Sequence, residues 1–189
     1  MFKGFCRDKE LLFVYLRPQQ GKVSFLPTHM IDIKPDDFTI TDLQDEIRVD
    51  ELCQKLLKTF HRHLLDTAEV TRLEAGSLAG GADYFLRDFV IDSLRGNIFA
   101  VTAVQVRGFA GNWYIHRTLE PNMKELESIL RGVASLYQFY AANGWIRTSV
   151  SDEIRLVCAD LDYFRRRIES FDKLAGDDYP GWCEECPLE

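Results

Sequence analysis

The sequence predicts a mainly α fold: a single helical bundle-like domain of about five helices, with a small N-terminal β-hairpin. Three observations lead there. Apolar residues recur at steps of three and four through most of residues 41–176, the period of a helix with one buried face. That period is punctuated by helix-start pairs, in which a polar residue is followed three positions later by Glu or Gln, and by Gly or Asn stops. The first forty residues change pattern, with short β-prone runs around a turn. A chain of 189 residues, 46% hydrophobic and 28% charged, fits one domain whose core needs no disulfide or metal.

Taken in order, residues 11–16 (Leu-Leu-Phe-Val-Tyr-Leu) and 23–26 flank a turn containing Pro18 and Gly21, which makes residues 1–40 a hairpin appendage packed on the helical body. Residues 41–176 form the helical domain. Thr41 and Gln44 have capping-box spacing, and Val49, Leu52, Leu56, Phe60 and His63 trace one face of the helix that follows. Thr71 and Glu74 open a second helix, with Ala75, Leu78, Ala82, Phe85 and Phe89 on one side. Gly76, Gly80 and Gly81 each weaken it by about 1 kcal/mol relative to Ala. Close packing against another helix, or a loop at Gly80-Gly81, accounts for them.

Thr102 and Gln105 open the next helix, with Val106, Phe109, Ala110 and Trp113 inward, and Pro121 bounds it. Residues 122–144 carry the clearest signals. Asn122 caps, Glu125 reaches back, Asn143-Gly144 exits, and Leu126, Leu130, Val133, Tyr137 and Tyr140 form the seam. Ile154, Val157, Leu161, Phe164, Ile168 and Phe171 continue the period as one long amphipathic helix. Residues 177–189 read as an acidic, irregular, Cys-containing tail anchored by Trp182. Among the central aromatics, Tyr114 and Phe139 fall off the seams and are expected to face outward.

The net charge of −7 disfavours nonspecific coating of nucleic acid. The charge is uneven: residues 102–148 hold five basic against three acidic side chains, and residues 149–189 five against eleven. No apolar run approaches the length that spans a bilayer, and the first residues lack a secretory pattern, so a cytoplasmic protein without membrane contact is expected. Cys6, Cys53, Cys158, Cys183 and Cys186 have no regular spacing and read as reduced thiols. The sequence calls for no cofactor. Cys183-Glu184-Glu185-Cys186 supplies half of a zinc site, or a redox pair. His61 and His63 are two apart on a helix and point in different directions. Arg165, Arg166 and Arg167 alternate with acidic neighbours as a salt-bridged helix face. Phosphate-loop, dinucleotide, nucleophile-elbow and H-E-x-x-H motifs are missing from the sequence.

The runs Val106-Arg107-Gly108-Phe109 and Leu130-Arg131-Gly132-Val133 … Tyr140-Ala141-Ala142-Asn143-Gly144-Trp145-Ile146 resemble the SAM-like core-binding domain of tyrosine recombinases (phage integrases), over residues 71–146. The resemblance implies a helical clamp placing Arg107, Arg117, Lys124 and Arg131 against DNA phosphates. It does not extend to catalysis: no H-x-x-R occurs, and the residues after Ile146 leave no room for that family's catalytic domain.

The expected function is a non-catalytic helical interaction module contacting nucleic acid or a protein through Arg107, Arg117, Lys124 and Arg131. The alternative is a thiol or zinc-binding protein using Cys183 and Cys186. A third reading assembles a small-molecule site from Asp83, Arg87, His116 and Arg117. Oligomeric state is left open.

Overall fold

The computed structural model describes residues 33–67, 70–175 and 178–188. The hairpin expected within residues 1–40 lies outside the described residues except for its last few, which form a single 3-10 turn at Pro35–Phe38 with Phe38 buried. Residues 33–189 form one compact unit. Among the described residues the body is mainly helical, with turns and irregular chain between the helices, and no helix is long and apolar enough to cross a membrane.

Helix α1 (Leu43–Thr67) buries Val49, Cys53, Leu56, Leu57, Phe60 and Leu64. Its start is shifted one residue from the expected pair: the Asp45 amide donates to Asp42 Oδ1 (2.9 Å), and the Asp45 carboxylate accepts from Thr41. That hydroxyl and amide, with Arg48 beside them, hold the Asp45 carboxyl down at about 2. Helix α2 (Arg72–Tyr84) begins at Thr71, whose side chain accepts from the Glu74 amide. It runs without a break into a π-helical segment, Phe85–Ser93. Helix α3 (Ala103–Gly108) opens with the full Thr102/Gln105 capping box, then passes through a second π-helical segment, Phe109–Trp113, into α4 (Tyr114–Arg117).

Helix α5 (Met123–Ala142) is the central strut, capped by Asn122 and ended by Gly144 at φ 74°. The Trp145 amide reaches the Tyr140 carbonyl and the Gly144 amide that of Ala141, so the last carbonyls are satisfied as the chain turns away. Its most extensive contact is with α2. The two run antiparallel, with Glu74 against Arg131 and Ser77 Oγ 2.8 Å from Ser128 Oγ. At their crossing a Cβ on Gly81 would lie 2.7 Å from the Ile129 Cα, and one on Gly132 would strike the Leu78 carbonyl. Close packing therefore explains Gly81, while Gly76 and Gly80 face open space.

The long helix expected after Ile146 is two helices, α6 (Thr148–Cys158) and α7 (Leu161–Phe171). Asp160 leaves helical geometry (ψ 54°) and its carboxylate accepts from Arg107 of α3. The apolar spacing from Val157 to Leu161 continues across this break and conceals it. The tail is also more ordered than expected: Tyr179–Glu184 forms α8, with Trp182 buried. Tyr114 and Phe139, expected outward, are 1% and 6% exposed and belong to the core. Phe139 packs between Phe60 and His63 of α1.

Candidate functional site

The two π-helical segments lie against each other through Phe89, Phe109 and Trp113. A π turn adds a residue to the helical repeat and re-aims the side chains that follow it, which is why such segments are frequent at functional sites. Here they border an open cleft of about 410 Å³, lined by Tyr84, Asp88, Asp92, Trp113, His116 and Arg117. Trp113 is fixed by its indole N–H, which donates to Ser93 Oγ (3.1 Å), and the Arg117 guanidinium stands 5.6 Å from its ring.

One wall is acidic. Asp88 and Asp92 are exposed and make no ion pair among the described residues. Partial burial and the nearby carboxylates of Asp83 and Asp92 outweigh Arg87 and raise the Asp88 pKa. Burial likewise raises that of Tyr84, against a hydrogen bond from Thr118.

The opposite wall carries His116 and Arg117. His116 Nδ1 lies 3.1 Å from the Asn112 carbonyl and 3.2 Å from Asn112 Oδ1. Both are oxygens that only accept, so Nδ1 carries the proton, and the neutral ring keeps its lone pair on Nε2. The orientation of the Asn112 amide is set from the other side: buried Asn112 donates through Nδ2 to the carbonyls of Cys183 (3.2 Å) and Cys186 (2.8 Å). A hydrogen-bonded chain thus joins the C-terminal turn to the cleft.

That turn is docked by Arg167, which is buried and not part of a solvated face. Its Nε donates to the Gly111 carbonyl (3.0 Å), Nη2 to that of Trp182 (2.6 Å) and Nη1 to Glu185 (2.6 Å), and its guanidinium sits 3.8 Å from the Trp182 ring. Gly108 and Gly111 allow the approach. A Cβ on Gly108 would lie 2.6 Å from the Pro187 carbonyl, and one on Gly111 2.9 Å from Cys186 Sγ.

The four basic residues singled out in the sequence are held differently. Arg107 pairs with Asp160 (3.4 Å) and covers the Tyr163 ring (4.6 Å). Arg131 pairs with Glu74 across the crossing. Arg117 lines the cleft, and Lys124 is exposed on the first turn of α5. Of the third constellation, His116 and Arg117 meet in the cleft, whereas Arg87 is drawn to Asp50 (2.6 Å) and Asp83 (3.5 Å). Among the described residues no cluster of three or more His, Cys, Asp or Glu side chains is arranged to hold a metal ion.

Tyr84, Asp88, Asp92 and Asn112 have no motif in the sequence. The four-residue spacing of Asp88 and Asp92 was the one available signal. Chemically the cleft offers recognition: two carboxylates, a guanidinium, an imidazole acceptor and two aromatic rings. No family model, no curated protein and no solved structure matches this chain.

Proposed function

We propose that this chain is a non-catalytic helical interaction module that receives a protein partner at the cleft between its two π-helical segments. The observation that carries the reading is the mixed charge of that cleft: Asp88 and Asp92 on one wall, Arg117 on the other beside the His116 ring. Such a surface suits a polypeptide bearing side chains of both signs, because each charge meets its complement. Leu119, two residues beyond Arg117 in the chain, is 98% exposed and offers an apolar contact to such a partner.

The resemblance to the recombinase core-binding domain favours nucleic acid through Arg107, Arg117, Lys124 and Arg131. A protein partner is the better reading because carboxylates already engage Arg107 and Arg131, and a groove that tracks phosphates needs several unpaired cations. A photo-crosslinking amino acid introduced at position 119 should yield one discrete protein adduct in cells, lost in Arg117→Glu. An adduct that persists in that variant, or low-salt oligonucleotide binding that weakens on Arg131→Glu, overturns the reading.

A further inference from the structure

We propose that Cys183 and Cys186 are a site of reversible oxidation, a dithiol that closes into an intramolecular disulfide on reaction with a small-molecule disulfide. The inference rests on the C-terminal turn alone and is independent of the partner proposed for the cleft.

Backbone geometry comes first. The Cys186 amide donates to the Cys183 carbonyl (3.2 Å), closing a turn in which the first and fourth residues face each other. Turns of this kind hold their end Cα atoms within about 7 Å, and a disulfide spans roughly 4.4–6.8 Å. The turn is also held from outside, since Asn112 donates to both cysteine carbonyls and Arg167 to the intervening Glu185. Closing the disulfide therefore asks chiefly for rotation of two side chains, with the backbone already arranged.

Burial then assigns the roles. Cys183 is partly exposed, whereas Cys186 is 2% exposed, with its Sγ 3.5 Å from the Arg107 carbonyl. Cys183 is the thiol an oxidant can reach; Cys186 is the one that resolves.

With oxidised glutathione as the oxidant, Cys183 gives up its proton and its thiolate attacks one glutathione sulfur. The glutathione S–S bond breaks as the mixed disulfide forms, and one glutathione leaves as a thiolate and is protonated. Cys186 then loses its proton and attacks Cys183 Sγ, and the second glutathione leaves in the same way. Two protein thiols are oxidised and one glutathione disulfide is reduced to two thiols.

Cys53 and Cys158 are internal controls. Both are buried, and burial raises both thiols, that of Cys158 up to about 12, which leaves little thiolate to react. The test uses the reduced full chain, equilibrated without oxygen in glutathione buffers of rising oxidation, trapped by alkylation after unfolding and mapped by mass spectrometry. The 183–186 peptide should lose both thiols together, with a linked mass, at ratios that leave Cys53 and Cys158 alkylated. Cys186→Ser should stop at glutathione bound to Cys183, and Cys183→Ser should leave Cys186 about tenfold slower to react than Cys183 in the intact chain. Glutathione added separately to each thiol, oxidation of Cys53 or Cys158 at the same ratio, or equal reactivity of Cys186 in Cys183→Ser overturns the proposal.

Discussion

The α2–α5 crossing and the C-terminal dock each place a pair of glycines where two segments meet, and they use the space differently. At the crossing, Gly81 and Gly132 bring two helix backbones together beneath a buried apolar layer that includes Leu78, Ala82, Ile129 and Val133. At the dock, Gly108 and Gly111 admit a turn whose carbonyls are met by Asn112 and Arg167. The crossing is held by shape, and its stability is shared with the whole core. The dock is held by directed hydrogen bonds on one short segment, so it can open without unfolding the rest.

The largest expected effect breaks the crossing. Gly132→Ala drives a methyl group into the Leu78 carbonyl, and the helix-propensity gain of about 1 kcal/mol does not offset it. Global stability should fall by about 2–3 kcal/mol in chemical denaturation. Next, Arg167→Met keeps the aliphatic stem and leaves the Gly111 and Trp182 carbonyls without their donor. It should cost about 1–2 kcal/mol, appearing in hydrogen exchange as faster opening of residues 179–188 with α5 unchanged. If α5 opens as well, the two regions are one cooperative unit and the contrast fails.

A third variant sharpens the crossing side. Gly80→Ala, next to Gly81 but facing open space, should stabilise by about 0.5–1 kcal/mol, measured by thermal melting. Gly81→Ala should destabilise.

The smallest effects lie on the helical body beside the cleft. The hydrogen bond from Arg87 lowers the Asp50 pKa, so its contribution is present above the unfolded carboxylate value and lost as pH falls through the folded one. Asp88 is raised, so its effect has the opposite sign: stability is fully present below the unfolded value and lost as pH rises through the folded one. At neutral pH Asp50→Asn should lower the melting temperature and Asp88→Asn should raise it slightly.

Much of the helical body was legible in the sequence, because caps and seams are local. Thr71, Thr102, Asn122 and Gly144 sit where their chemistry puts them. Features that depend on a distant partner were not. Gly132 reads as one more residue of a good helix until Leu78 is placed against it. Arg167 sits among charges and reads as surface until Gly111 and Trp182 surround it. The π-helical segments insert a residue without changing composition, so only their spacing of four marked Asp88 and Asp92, and nothing in the sequence set them across a cleft from His116 and Arg117.

The central claim is that the docked turn, acting through Asn112, sets the face His116 presents to the cleft. Nitrogen-15 NMR of the His116 ring at a pH where it is neutral tests this most directly. A proton on Nδ1 in the intact chain, giving way to a mixture of tautomers in Arg167→Met, is the predicted result. A proton on Nε2 in the intact chain, or an Nδ1 proton unchanged in Arg167→Met because the Asn112 main-chain carbonyl alone holds it, would contradict it.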